Sequence, residues 1–234
     1  MIVPTSVYFI LFLSFALSLT SLGRRLLFPI RYFTTWIHEC SHALAAVLVG
    51  GYSIRITLER DGSGLTHFLV PKGRIRAFFV TSAGYLGATL GGCLLLYACL
   101  SASTGMGSLD HRSIALILCS LMTLSVFIWI RNLFGILTTL LFAAFFTLLR
   151  VPPYSRFLAS VLLFLGIQTA LNALFDLRDL LARKNSGGPV SDAHRMAKLT
   201  HLPSWFWTLS WLIISVGMLW FTLKLAPGNF KISM

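Results

Sequence analysis

The chain has 234 residues, 56% apolar and only 11% charged, against roughly 45–50% and about 25% in average globular proteins, and its mean hydropathy is +0.82. So little charge cannot cover a water-facing surface of this size, which excludes intrinsic disorder, a coiled coil and an ordinary soluble enzyme and leaves one integral membrane domain over residues 1–234. The net charge of +12 comes from 19 Lys and Arg against 7 Asp and Glu, scattered singly between apolar runs; that pattern fits lipid-headgroup anchoring and argues against nucleic acid as a partner.

A spanning helix needs about 20 apolar residues for about 30 Å of hydrocarbon. Residues 2–22 meet this, and with no Lys or Arg before them they read as a retained helix closed by Arg24 and Arg25. A second helix is expected over 27–49, interrupted by Arg31, His38, Glu39 and His42. Residues 52–70 differ in kind: two β-rich runs flank Asp61-Gly62, which predicts a hairpin. Further helices are expected over 77–100, rich in small residues, then 113–130, 132–149, 156–182 and 203–224. The fold class is thus an all-α polytopic membrane protein of about seven spans with a small β-hairpin after the second. Residues 183–202 form a Gly-Gly-Pro loop and a short helix capped by Ser191 or Asp192. The four cysteines lie in apolar runs without a C-x-x-C pair and read as reduced, buried thiols.

One motif carries chemistry. His38-Glu39-Cys40-Ser41-His42 is H-E-x-x-H. On a helix, positions i and i+4 share a face, so both imidazoles reach one Zn²⁺, and Glu39 is placed as the proton acceptor for a water the metal activates. Ionisable groups inside a bilayer helix are costly, and three within five residues call for a compensating cation. A catalytic zinc usually has three protein ligands. Besides Glu39, the acids are Glu59, Asp61, Asp110, Asp176, Asp179 and Asp192. Asp176 is the expected third ligand, because the second and sixth segments run in the same direction. His42 lies about 12 Å before Gly50 and Asp176 about 16 Å before Gly187 at 1.5 Å per residue. Asp179 and Asp192 are the alternatives, Asp179 as an interfacial ion pair or a partner of a ligand histidine, Asp192 as a helix cap or a residue folded back over the site. Asn172, one turn before Asp176, is a candidate substrate contact or interhelical hydrogen bond.

The stretch from His38 to Ala46 followed by Gly50 resembles the signature of site-2 proteases, intramembrane zinc metallopeptidases that carry H-E-x-x-H in a membrane helix with Ala after the second His and Gly eight residues past it; Ala43 and Gly50 match. The following hairpin and the stretch SDAHRMAKLTHLP resemble the compact branch of that family without a PDZ domain. The family's third ligand is an Asp in an L-D-G or N-P-D-G setting; Asn172–Asp179 lacks that Gly and Pro, and the helix after the hairpin lacks the family's Asn. The resemblance implies Zn²⁺ as cofactor, with His38, His42 and Asp176 as ligands and Glu39 as the catalytic base. It implies hydrolysis of peptide bonds in membrane-spanning or membrane-tethered proteins, the hairpin pairing with an unwound substrate by strand addition. It also places residues 50–76 in the cytosol, on the side that Arg131 and 183–202 make slightly richer in Lys and Arg. A metal-dependent transporter and a catalytically idle chaperone or scaffold are the other classes; polar residues confined to two helices weigh against the first, an intact Glu39 against the second.

Overall fold

The computed structural model describes residues 20–105, 107–182 and 191–226 and five positions before residue 20, with backbone alone for 172–182. Most of the expected first span, 2–22, therefore lies outside the described residues, as does the loop 183–190. The described chain runs α1 (Ser21–Leu26), α2 (Phe28–Leu48), β1 (Tyr52–Leu58), β2 (Gly64–Leu69), α3 (Arg74–Thr104), α4 (His111–Ile128), α5 (Leu133–Leu149), a 3₁₀ turn (Tyr154–Phe157), α6 (Leu158–Ala182), α7 (Asp192–Thr200) and α8 (Ser204–Leu225).

Helices stand where the second to seventh spans are expected. Among the described residues, four stretches are long and apolar enough to cross a membrane: α3, α4, Tyr154–Leu171 and α8. Helix α5, at 17 residues, is shorter, and α2 carries polar groups along its length. The count of seven spans thus reduces here to a mostly helical chain with four candidate crossings.

Helix α3 is the central element, packed against α2, α6, α7 and α8. Its small residues make that possible. Gly87 meets the Ser41 side chain and Gly91 that of Ile37, while Gly92 lies against the backbone of Ala170 on α6. Side chains at these positions would hold the helices apart, so backbones approach closely along both faces. The main core, including Phe33, Leu96, Phe146 and Leu162, fills the space between α2, α3, α5 and α6; a smaller one joins Ala193, Met196 and Trp211 under α7.

The hairpin pairs antiparallel, with Ile56 opposite Thr66 and Leu58 opposite Gly64. The loop 59–63 is closed by Asp61, whose carboxylate accepts from the Ser63 amide at 2.9 Å and its hydroxyl at 2.6 Å. The hairpin does not stand apart from the bundle. It folds back along α2, where Thr35 donates to the Gly62 carbonyl at 2.8 Å and Tyr32 donates to that of Arg60.

The outer edge of β1 is covered by an unwound link between α4 and α5. The Ile56 amide donates to the Trp129 carbonyl at 2.8 Å, and the Arg131 amide to that of Ile56 at 3.0 Å. The Asn132 side chain then imitates a further strand residue, accepting from the Leu58 amide at 3.1 Å and donating to its carbonyl at 2.7 Å. The Arg131 guanidinium turns back onto the last carbonyls of α4, those of Val126, Phe127 and Ile128, where unsatisfied acceptors and the helix dipole favour a cation. Backbone that leaves the helix among apolar neighbours is thereby kept hydrogen-bonded.

Candidate metal centre

Three elements converge on one point. Helix α2 brings His38 and His42 to the same face with their Nε2 atoms 3.1 Å apart. Helix α7 brings Asp192, whose Oδ2 is 3.2 Å from His38 Nε2 and 3.1 Å from His42 Nε2. Helix α3 supplies the floor: a Cβ at Gly84 would overlap the Nε2 atoms of both histidines, so hydrogen there leaves the space between the rings open.

The donor set fits a divalent metal. His42 Nδ1 lies 2.7 Å from the Val80 carbonyl, which can only accept, so Nδ1 carries the proton and Nε2 presents a lone pair to His38 and Asp192. Tetrahedral ligands about 2.0 Å from a zinc ion lie about 3.3 Å from one another, and the three observed separations are close to that. His42 is buried, and the side chains of His38 and Asp192 are only 18% and 12% exposed. Three such donor atoms, this close and this little exposed, can hold a cation between them. Burial pushes the Asp192 carboxyl up; with protons on the two Nε2 atoms, their hydrogen bonds and charge outweigh it and hold the group well below the usual carboxylate range, and a metal would replace those protons at an already ionised ligand.

Asp192 is placed by α7 itself. Ser191 caps that helix, accepting from the His194 amide at 3.3 Å, and Asp192 opens its first turn, where the dipole favours an acid. Ala193 and Met196 anchor the helix on Trp211, Tyr85 and Trp207. Arg74 donates to the Leu199 carbonyl at 2.8 Å and ties its far end to α3. Arg195 lies 3.9 Å from the other carboxylate oxygen of Asp192. The Tyr85 ring packs edge-on against His38 at 4.7 Å and stacks on Trp211 at 5.6 Å, joining α3 and α8 beside the site.

Glu39, the neighbour of His38, is buried at 6% exposure and points into β2. Its Oε2 accepts from the Thr66 hydroxyl at 2.6 Å. Thr66 is the site residue that sequence reasoning did not single out; the signal was its place opposite Ile56 in a hairpin that follows the motif. Of the other expected site residues, Asn172, Asp176 and Asp179 lie on the last turns of α6, where side chains fall outside the described residues. Among the described residues, His38, His42 and Asp192 are the group whose ligand atoms lie close enough together to hold a metal ion.

The fold and site define a mostly helical chain with four helical stretches long and apolar enough to cross a membrane and a His-His-Asp cluster next to a buried glutamate. The family model described as Peptidase M50B-like matches residues 7–222, and the chain belongs to that family, which is of the site-2 protease kind. No curated protein and no solved structure matches it.

Proposed function

We propose that the protein is an intramembrane zinc endopeptidase in which His38, His42 and Asp192 hold the metal and Glu39 is the general base. The observation that carries this is the convergence of the three ligand atoms at 3.1–3.2 Å over Gly84. Asp192 is preferred to Asp176 as third ligand because, among the described residues, it is the carboxylate that meets both imidazoles.

Zinc bound there supplies Lewis acidity, lowering the pKa of water and polarising a carbonyl. The chain's own residues do the rest. Asp192 and the Val80 carbonyl fix the two rings. Glu39 is held beside them and takes the proton of the attacking water, then delivers it to the departing amide nitrogen. The edge of β2 away from β1 offers a row of main-chain groups to which an extended segment can add, exposing a peptide bond that a helix would hide. Substrates are other membrane-spanning or membrane-tethered proteins, and the end of the bundle with Gly50 and α7 faces the cytosol.

The test is co-expression with single-span candidate substrates. Wild type cleaves; Glu39→Gln leaves the substrate intact and retains zinc, since the amide keeps the shape and loses the base. Cleavage by the Gln variant at the wild-type rate rejects the mechanism, and loss of zinc with activity makes Glu39 a ligand.

A further inference from the structure

We propose that Thr66 is a positioning residue for Glu39: strand β2, through this hydroxyl, sets the direction of the carboxylate. The inference rests on the reading of Glu39 as base.

Thr66 is 5% exposed and stands on the inward face of β2. Its Oγ1 lies 2.6 Å from Glu39 Oε2 and 3.0 Å from the Glu39 carbonyl. A hydroxyl has one proton to give, and the shorter contact, to the carboxylate, takes it. Two residues earlier on the same face stands Gly64. A Cβ there would lie 2.7 Å from Glu39 Cγ, so the strand backbone rests directly on the stem of the side chain whose head Thr66 holds. One strand thus fixes both ends of a glutamate that otherwise has three free torsions.

The strand is itself held. Ile56 and Leu58 of β1 pair with it on one side and with the link 129–132 on the other. Positions of Glu39 and of anything paired along β2 are therefore set by the same element. A base directed in advance loses no reorganisation energy at the moment of proton transfer. One oxygen committed to Thr66 leaves the other to receive the proton.

Valine copies the shape of threonine without its donor, and serine keeps the donor. With a purified single-span protein that wild type cleaves, Thr66→Val is expected to lower kcat about 10- to 100-fold, the loss of one hydrogen bond to a charged group. KM stays within about twofold and zinc content is unchanged; Thr66→Ser restores most of kcat. A structure of Thr66→Val shows the Glu39 carboxylate turned from its wild-type direction. In a Glu39→Gln background, Thr66→Val has no further effect on the residual rate. Wild-type kcat in Thr66→Val, an equal fall in the Ser variant, zinc loss in place of a kcat effect, or full additivity with Glu39→Gln each overturns the proposal. If Glu39→Gln itself cleaves normally, the reading of the base fails, whatever Thr66 does.

Discussion

His42 donates from Nδ1 to the carbonyl of Val80 at 2.7 Å, so a residue of α3 one turn before Gly84 determines which nitrogen the imidazole turns toward His38 and Asp192. The H-E-x-x-H motif places two imidazoles on one helix face, but the tautomer, the open space and the carboxylate that meets them come from elsewhere in the chain. The centre is a product of three packed helices, and each can be tested separately.

Gly84 tests the space. The rings sit where a methyl group at this position would be, and they cannot retreat without giving up the Val80 bond or the Asp192 contact. Gly84→Ala is expected to reduce zinc content to less than about a tenth of wild type while the protein still inserts and folds, since alanine suits the interior of α3 better than glycine. Metal analysis of the purified variant against its melting curve checks this; full zinc in a folded Gly84→Ala shows that the ion is held elsewhere.

Asp192 tests the third ligand. Asn keeps the volume and removes the anionic donor. Asp192→Asn is expected to lose zinc and cleavage together, with Asp176→Asn and Asp179→Asn retaining zinc. A buried ligand set short of one anion binds a dication far more weakly, so the difference is measured in occupancy and not in a small shift. Zinc retained in Asp192→Asn but lost in Asp176→Asn would return the third ligand to α6.

Much of this architecture was legible in the sequence. Composition gave the membrane class, Asp61-Gly62 the hairpin, and the small residues of 77–100 the close packing of α3. H-E-x-x-H could be read because both histidines lie on one helix and their spacing alone puts them together. The meeting of Asp192 with the two imidazoles was not legible, because its approach to His38 crosses about 150 residues and depends on how α7 docks. Ser191-Asp192 reads equally as a cap, and it is one: the same helix start caps and aims the acid. Ala193 and Met196, one turn apart and buried, give α7 an inward face beside Asp192. The link 129–132 was illegible for a related reason. Arg131-Asn132 marks a break between helices, but only the placed hairpin shows that the break pairs with β1.

Asn132 tests that pairing. Leu58 is 1% exposed, and Gly135 lets the chain close around it. The Asn132 side chain satisfies both the amide and the carbonyl of Leu58, main-chain groups that a buried residue must keep paired. Asn132→Ala leaves two orphaned main-chain groups, a cost of about 2–4 kcal/mol in total, which at this size lowers Tm by roughly 5–15 °C. The same variant frees the outer edge of β1 from residue 132 while His38, His42 and Asp192 keep their own supports. Zinc content is therefore expected to persist at temperatures below the lowered Tm, and cleavage to fall with the loosened hairpin. Hydrogen exchange of 54–58 and 64–68 should rise in the variant without a rise in α3. If Asn132→Ala melts and exchanges like wild type, the link is not what holds β1. If zinc is lost along with stability, the hairpin and the metal centre form one cooperative unit instead of two.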